Sequence, residues 1–480
     1  MPMSRRDLTR AFAVTVGSAT LLGTTELTTT ELTTANAATQ RTHKRTTTAT
    51  RSHDRSTRYP PLITHTHHRP TGYEVTFRYH APDATRVQLK GEWYFERPSD
   101  LPERLSGPDG TVETPGLRPR QWRRGDVPIA SPNSTSPNWP VVDMRKGRDG
   151  VWSYTTPLPG GVYTYGFFID ADADDTTTTG LVPDPSNPAW NVHDGVVDGR
   201  AVDRSQIYVP SDADFDPRET SWLSATDGAS GKLRYVTYDS PGHVTPADQN
   251  YLVVYTPPGY DAHRATPYPT LYLSHGGGED EMGWSTQGAL ADIMDQLIGR
   301  AEIEPMLVVM PNATGYATSS QESLHRADLI ERVIPWMEEH YHVVADASGR
   351  AYSGLSAGGM RTAYLLLDNT AEFGYYGLMS AGLPPDTTFS DDLVTAMKQA
   401  SVWIGGGWQD PINAGFVLNG TALHRGPFRA ARDLTEAGVH VTTAFIDGGH
   451  EWYVWRLLLR DFLTRVAFLP ATSAPDSWGA

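Results

Sequence analysis

Cysteine is absent from this 480-residue sequence. Its absence excludes disulfide bonds, thiolate catalysis and cysteine-ligated zinc, so the folded state must depend on packed cores. Basic residues are outnumbered, with 40 Lys and Arg against 56 Asp and Glu, and the net charge of −16 argues against nucleic acid as a partner. After the N-terminal region, no run reaches the roughly 18 apolar residues that a membrane-spanning helix needs, so we expect no membrane association of the mature chain.

The composition that is present indicates a folded protein with more than one domain. Hydrophobic residues make up 39% of the sequence and charged residues 20%, while 44 Gly and 36 Pro indicate many turns. Because a single core stops growing near ~250–300 residues, the length allows two domains and a tail. The sequence leaves the oligomeric state open.

Residues 1–37 have the features of an export signal. Arg5 and Arg6 precede an uncharged, mildly apolar run over residues 11–23, and Ala35-Asn36-Ala37 supplies a small-residue cleavage site. This arrangement resembles a twin-arginine signal, so we predict secretion after removal of the segment. The alternative is a disordered tail that contains an arginine pair by chance.

Residues 38–70 are rich in Thr, Arg and His and contain few apolar side chains. Such a segment buries too little surface to offset the entropy of ordering, so we predict a disordered linker. His65, His67 and His68 can chelate a metal, but no framework of carboxylates surrounds them in the sequence. We therefore predict no metal site and no cofactor.

Residues 71–210 show short strand patterns separated by Gly and Pro. Residues 73–79 alternate apolar and polar side chains, and residues 87–91, 151–156 and 161–170 supply further aromatic strands. Short strands with turn signals predict an antiparallel β-sandwich. Between them, residues 97–147 are polar and Pro-rich and indicate long loops or an insertion.

Three motifs in this region resemble the immunoglobulin-like domains that precede glycogen-debranching enzymes and many bacterial feruloyl and siderophore esterases. They are Gly150-Val-Trp-Ser, residues 157–170 and Asp184-Pro-Ser-Asn-Pro. The resemblance implies a domain like a carbohydrate-binding module, which either binds glucan or only packs against a catalytic domain. Trp93, Trp152 and Trp190 are candidate sugar platforms, with core packing as the alternative.

Residues 230–470 have a different pattern, in which apolar runs alternate with helical-period segments. The apolar runs are residues 249–256, 270–274, 306–310 and 401–404, and the helical segments include 291–298, 324–341 and 427–437. This alternation predicts an α/β domain with a doubly wound sheet. Such a sheet places its site at the carboxyl ends of the strands.

Gly354-Leu-Ser356-Ala-Gly358 is the strongest catalytic motif. It follows a strand pattern at residues 349–353 and precedes a helical-period run at 359–367. Small residues on both sides of a serine allow a sharp strand-to-helix turn that projects the hydroxyl above the sheet. We predict Ser356 as a nucleophile.

A serine hydroxyl needs an adjacent base near neutral pH. His450 lies in the glycine turn Asp447-Gly-Gly-His450, after a strand pattern, and it follows the serine in the chain. His340 and His342 lie on or beside a helix before the nucleophile and are the weaker candidates. We predict His450 as the general base.

The acid that supports the histidine should lie between the two in chain order. Asp410 follows the strand that ends near Ile404, so we predict that its carboxylate orients the imidazole of His450. Asp391 and Asp392 have no strand before them. Asp447 is too close in sequence to the histidine to be the obvious choice.

Acyl transfer also needs donors for the developing oxyanion. The loop His275-Gly-Gly-Gly-Glu279 follows a strand and is suited to presenting backbone N–H groups. We assign the oxyanion hole to the N–H groups of Gly277 and Ala357. For His275, a structural role in the loop is preferred to a catalytic one.

Residues 230–468 resemble the esterase family that includes feruloyl, acetylxylan and enterochelin esterases, S-formylglutathione hydrolases and mycolyltransferases. The matching motifs are Tyr255-Thr-Pro-Pro-Gly-Tyr260, residues 273–284, Gly354-Leu-Ser-Ala-Gly-Gly359 and Gly449-His-Glu-Trp452. With the N-terminal domain, the chain resembles two-domain feruloyl esterase-type proteins of carbohydrate esterase family 1. The resemblance implies an α/β-hydrolase fold and metal-free ester hydrolysis through an acyl-enzyme.

The resemblance further implies an acylated plant polysaccharide or oligosaccharide, feruloylated or acetylated, as the substrate. A siderophore lactone, acyl transfer to a sugar, and a secreted binding protein on a hydrolase scaffold are the alternatives. Trp284, Trp408 and Trp452 flank the predicted site and are candidates for an aromatic wall, although each can equally pack in the core. The bulky Trp408 before Asp410 departs from the family pattern and leaves the substrate open.

Overall fold

The computed structural model describes residues 59–93, 95–97, 116–128, 141–171, 180–187, 192–193, 196–197, 205–216, 218–317, 321–418 and 421–469. The predicted export signal, residues 38–58 of the predicted linker, and Trp190 lie outside these residues and stay predictions.

The N-terminal region consists mainly of short strands. In chain order they are β1 (Leu62–His65), β2 (Tyr73–His80), β3 (Val87–Gly91), β4 (Phe95–Glu96), β5 (Val127–Pro128), β6 (Val141–Asp143), β7 (Arg145–Lys146), β8 (Val151–Pro157), β9 (Gly161–Ile169), β10 (Val192–His193), β11 (Val196–Val197) and β12 (Ser205–Val209).

Two antiparallel four-stranded sheets enclose an aromatic core in this region. Their strand orders are β1-β2-β8-β7 and β12-β9-β3-β6. The core draws on both sheets, because the inward side chains of β2 and β8 meet those of β3 and β9. This arrangement agrees with the predicted sandwich. Trp93 and Trp152 are buried in the core, at 2% and 6% exposure, so packing explains both better than sugar binding.

Strand β1 is a difference from the sequence prediction, because it lies inside the predicted linker. Leu62–His65 pairs antiparallel with residues 73–76 of β2, although all four of its side chains are exposed. An edge strand of this kind is held by backbone hydrogen bonds and needs no apolar side chains. Composition alone therefore could not reveal it.

The C-terminal region contains the larger sheet and the helices. Its strands are β13 (Lys232–Val244), β14 (Ala247–Thr256), β15 (Thr270–Ser274), β16 (Leu307–Pro311), β17 (Arg350–Leu355), β18 (Tyr375–Met379), β19 (Ser401–Gly407), β20 (Phe416–Leu418), β21 (Thr421–His424) and β22 (Val441–Ile446). Its helices are α1 (Met282–Ser285), α2 (Leu290–Gly299), α3 (Gln321–Asp328), α4 (Ile334–His340), α5 (Ala357–Asp368), α6 (Asp391–Met397), α7 (Pro427–Glu436) and α8 (Trp452–Arg465), with a π-helical turn at Leu329–Val333 between α3 and α4.

Eight of these strands form one mixed sheet in the order β13-β14-β16-β15-β17-β18-β19-β22. Strands from β16 to β22 in this order run parallel, whereas β14 is antiparallel to both of its neighbours. Separate hydrophobic clusters cover the two faces of the sheet, and every residue of β15, β16 and β17 is buried. The predicted doubly wound sheet is confirmed.

Helix α8 joins the sandwich to the large sheet. Val162 of β9 belongs to the same buried cluster as Trp455 and Leu459 of α8. The buried guanidinium of Arg456 donates to the Gln206 side chain at 3.1 Å and, through Nε, to the Gln287 carbonyl at 2.9 Å. The sandwich therefore packs on the helix that follows His450. No helix in the described ranges is both long and apolar enough to cross a membrane.

Candidate active site

Ser356 occupies a sharp turn between β17 and α5. Its backbone has φ +52° and ψ −115°, a conformation that non-glycine residues rarely adopt and that is held where the surroundings dictate it. The Ser356 N–H donates to the Met379 carbonyl at 2.9 Å. A β-carbon on Gly354 would lie 2.6 Å from the Gly358 backbone, so this turn accepts only glycine there. The hydroxyl is thereby fixed at the N-terminus of α5.

His450 lies on the loop between β22 and α8 and reaches the serine. Its Nε2 is 3.0 Å from the Ser356 Oγ, although the two residues are 94 positions apart in the chain. The Trp455 ring packs edge-on against the imidazole, with a centroid distance of 4.9 Å. Only 8% of the His450 side chain is exposed, so the ring has little freedom to move away.

Asp410 follows β19 and completes the group on the far side of the imidazole. Its two carboxylate oxygens lie 3.1 and 3.0 Å from the His450 Nδ1, and Oδ1 also accepts the Ile412 N–H at 2.9 Å. The side chain is fully buried. Because a carboxylate can only accept here, the neutral ring carries its proton on Nδ1, which leaves Nε2 able to accept the serine proton.

The rival residues named from the sequence lie in other environments. His340 stacks on Trp336 and bonds to its carbonyl, while Asp391 is in the first turn of α6. Asp447 is exposed, and its Oδ1 accepts a hydrogen bond from the Gln409 Nε2 at 3.4 Å. The structure therefore brings together Ser356, Asp410 and His450, in the order that the sequence predicts.

The proposed oxyanion donors also lie next to each other. A β-carbon on Gly277 would lie 3.9 Å from that of Ala357, the first residue of α5. Within the part of the chain that the structure describes, neither N–H group donates to another protein atom. Both groups are therefore available to an oxyanion beside the Ser356 hydroxyl.

A partly buried carboxyl group holds the glycine loop in place. Glu279 Oε2 accepts the Gly276 N–H at 2.8 Å, and Oε1 accepts a bond from the Gln287 side chain at 3.2 Å. Burial raises the pKa of Glu279 to about 7, with the Gly276 bond acting in the opposite direction. Through these two bonds, the carboxyl group connects the glycine loop to Gln287.

His275 is buried and bonded to backbone on both ring nitrogens. Nε2 accepts the Ala313 N–H at 3.0 Å, so the ring proton lies on Nδ1 and is donated to the Gly276 carbonyl at 2.8 Å. With both nitrogens used in this way, His275 fixes the position of the glycine loop. The geometry favours the structural role that we preferred from the sequence.

The three tryptophans of the predicted aromatic wall have different environments. Trp284 and Trp452 are 1% and 7% exposed and pack edge-to-face against each other in the core, with centroids 5.1 Å apart. Core packing is therefore the role that the structure favours for both. Trp408 is 47% exposed and lies within 5.5 Å of the Phe428 and Phe445 rings, which form an aromatic surface two residues from Asp410.

Two titratable residues near the triad were not identified from the sequence. His424, at the end of β21, is buried, and its pKa is lowered by desolvation, with the charge of His450 acting in the same direction. Glu451, directly after His450, is partly buried, and desolvation followed by the charge of Glu92 raises its pKa to about 8. Glu451 belongs to the Gly449-His-Glu-Trp452 motif, so it had a sequence signal. His424 had no sequence signal, because it approaches the triad only through the folding of the β20–β21 hairpin.

Comparison with known proteins gives a consistent picture of the C-terminal region. Residues 248–466 match the family described as "Putative esterase". A protein of Xylanibacter ruminicola named endo-1,4-beta-xylanase/feruloyl esterase is 32% identical over 253 residues, which cover 50% of this chain and 31% of that protein. This chain thus spans under a third of that relative's length.

Two solved structures are also similar. The ferulic acid esterase of the anaerobic fungus Anaeromyces mucronatus is 18% identical, with a TM-score of 0.44, over 52% of this chain and 96% of that one. The enterobactin esterase of Shigella flexneri is 17% identical, with a TM-score of 0.49, over 85% of this chain and 96% of that one.

Proposed function

We propose that this chain, a feruloyl esterase-like α/β-hydrolase whose residues 248–466 match the "Putative esterase" family, is a serine carboxylic ester hydrolase that acts through an acyl-enzyme. One observation carries the proposal. The His450 imidazole lies 3.0 Å from the Ser356 Oγ and 3.0 Å from the Asp410 carboxylate, with one ring nitrogen directed at each. This geometry suits an activated serine nucleophile.

In the first half of the reaction, the Ser356 Oγ attacks the ester carbonyl carbon while His450 Nε2 takes the hydroxyl proton. The carbonyl oxygen becomes an oxyanion, which accepts hydrogen bonds from the N–H groups of Gly277 and Ala357. The carbon–oxygen bond to the alcohol then breaks, and His450 returns the proton to the leaving oxygen. The acyl group remains on Ser356.

In the second half, water attacks the acyl-enzyme and gives one proton to His450. The resulting oxyanion collapses, the free acid leaves, and Ser356 recovers its proton. Asp410 stays ionised throughout and stabilises the imidazolium that forms in each half. Its complete burial makes this interaction stronger than an exposed pair of the same length.

We assign the substrate to acylated plant polysaccharide, with feruloyl or acetyl groups. The name of the Xylanibacter ruminicola relative supports this assignment. The exposed Trp408 surface supports it as well, because a flat aromatic group two residues from the acid of the triad suits stacking with a phenolic ring or a sugar. We also propose export by the N-terminal twin-arginine pattern, which N-terminal sequencing of protein recovered from the medium tests.

A substrate panel tests the proposal. Wild type and Ser356→Ala are assayed on methyl ferulate, acetylated xylan and a catecholate trilactone. The proposal predicts that wild type turns over the ferulate or the acetyl ester, and that the variant loses roughly 10³-fold or more in kcat. A preference for the trilactone would instead indicate that the substrate is a siderophore. Equal activity of both proteins would overturn the serine mechanism.

A further inference from the structure

Among the described residues, one group of three metal-ligating side chains converges, and it lies in the sandwich. It consists of His65, His67 and Asp212, whose donor atoms all lie within 4.8 Å of one another. His65 ends strand β1, His67 follows two positions later, and Asp212 lies just after β12. The sequence hid this group because the carboxylate is 147 positions from the first histidine.

The backbone between the strands brings the two histidines to one side of a tight turn. The N–H groups of Thr66 and His67 both donate to the Gly72 carbonyl, at 2.8 and 3.0 Å, and Gly72 N–H donates back to His68. A side chain on Gly72 would collide with the Asp212 carboxylate. Glycine at this position therefore lets the carboxylate approach the turn.

The donor atoms are close to the spacing that one cation needs. His65 Nε2 is 2.8 Å from Asp212 Oδ2, His67 Nδ1 is 3.8 Å from the same oxygen, and the two imidazole centroids are 3.6 Å apart. Tetrahedral Zn²⁺ with bonds of about 2.0–2.2 Å holds its ligand atoms roughly 3.3 Å apart. Shifts on the order of 1 Å thus suffice, and the His67 side chain, 69% exposed, can make them.

The surroundings of Asp212 hold its carboxylate in a fixed orientation toward the two histidines. The side chain is 5% exposed, and its Oδ1 accepts the Asp214 N–H at 2.9 Å, which leaves Oδ2 for the histidines. A bond that orients a ligand from behind is typical of metal sites.

We propose that His65, His67 and Asp212 bind one divalent transition-metal ion of the Zn²⁺ type and thereby fasten strand β1 to the segment after β12. Two imidazoles and one carboxylate are a ligand set that Zn²⁺ accepts, with exposed His67 leaving a position for water. In a chain without cysteine, such a clip supplies the long-range cross-link that a disulfide provides elsewhere. It is independent of the proposed ester hydrolysis.

The full chain is first dialysed against EDTA and then titrated with Zn²⁺. Calorimetry measures the binding, and thermal unfolding measures the change in Tm. The expected result is one Zn²⁺ per chain and a Tm that rises by several degrees at saturation. His65→Ala and His67→Ala should each weaken binding at least tenfold and abolish the Tm rise. His68→Ala, the same change at an exposed histidine outside the group, should behave as wild type.

His67→Ala separates a metal site from a simple ion pair, because it keeps the contact between His65 and Asp212. A Tm rise that survives in this variant would overturn the three-ligand site. Absence of zinc binding by wild type, or binding that persists unchanged in both variants, would also overturn it. Wild type should turn over p-nitrophenyl acetate at the same rate with and without EDTA, and each histidine variant should match it. This control shows that the catalytic domain stays folded.

Discussion

The imidazole of His450 has each ring nitrogen committed to a different partner. Asp410 contacts Nδ1 with both oxygens, and Nε2 is left for Ser356. The tautomer is therefore set by the buried carboxylate and not by the ring alone. An amide in place of this carboxylate could donate to Nδ1 and would then stabilise the wrong tautomer.

Asp410→Asn should accordingly lower kcat/KM for p-nitrophenyl acetate by roughly 10²–10⁴-fold with little change in folding. The loss is expected to be smaller than that of Ser356→Ala, since the nucleophile and the base remain. Steady-state kinetics and circular dichroism of both variants provide the measurement. Asp447→Asn is the matched control, because this exposed carboxylate lies three residues from the same histidine; equal losses in the two Asn variants would contradict the assignment.

Single residues differed in how far the sequence could place them. Ser356, Asp410 and His450 were predictable, because glycine turns after strands and a fixed chain order identify them. Trp284 and Trp452 were not, since sequence spacing does not say whether an aromatic ring points into the core or toward the substrate. Their mutual edge-to-face contact is a tertiary feature.

At the scale of elements, the nucleophile turn and the glycine loop meet at Gly358. A β-carbon here would lie 2.6 Å from the Ser274 carbonyl and 2.7 Å from that of His275. Both atoms are backbone, so either α5 or the loop must move. These are the two elements that carry the proposed oxyanion donors Ala357 and Gly277.

Gly358→Ala should therefore cost about 1–3 kcal/mol in the free energy of unfolding and up to roughly 100-fold in kcat/KM. Urea denaturation and ester kinetics on the same preparations measure the two effects. Gly299→Ala is the control, because its position at the end of α2 is exposed and has no neighbour within 4 Å. A Gly358 variant with wild-type turnover would show that the two elements need not touch.

Most elements of the large sheet were predictable because their strands are short apolar runs buried on both faces. Helix α5 was predictable from its 3.6-residue period. Strand β1 was not, since its stability comes from backbone pairing with β2. The π-helical turn between α3 and α4 also has no signal in the periodicity, which predicts one continuous helix.

At the scale of the whole molecule, the sandwich and the large sheet meet around the start of α8. Glu451 is partly buried there, and its surroundings include the charges of Glu92 and Arg218 from outside the large sheet. Desolvation and the charge of Glu92 raise its pKa from 4.5 to about 8. The folded protein thus keeps this proton over a pH range in which the unfolded chain has released it.

The sign of the resulting pH dependence follows from linkage. Between pH 5 and 9 the Glu451 carboxyl group binds more protons in the folded state than in the unfolded state, so its contribution to the free energy of unfolding falls as the pH rises. Glu451→Gln has no proton to lose and should remove that decline, a difference on the order of several kcal/mol across the range. Urea unfolding at pH 5.5, 7 and 9 measures it.

Glu436→Gln serves as the control for this pH experiment, because the Glu436 side chain is 70% exposed. Its unfolding free energy should follow the wild-type curve. Parallel curves for wild type and Glu451→Gln would contradict a protonated carboxyl group at the junction.

Covalent labelling of the intact protein tests the central claim most directly. A p-nitrophenyl phosphonate ester should transfer its phosphonyl group to the Ser356 Oγ, with release of one equivalent of p-nitrophenolate. Mass spectrometry is expected to find one adduct, on the peptide that contains Ser356, with no adduct in Ser356→Ala and much slower labelling in His450→Ala. A label on another residue, or an unchanged rate without His450, would contradict the account.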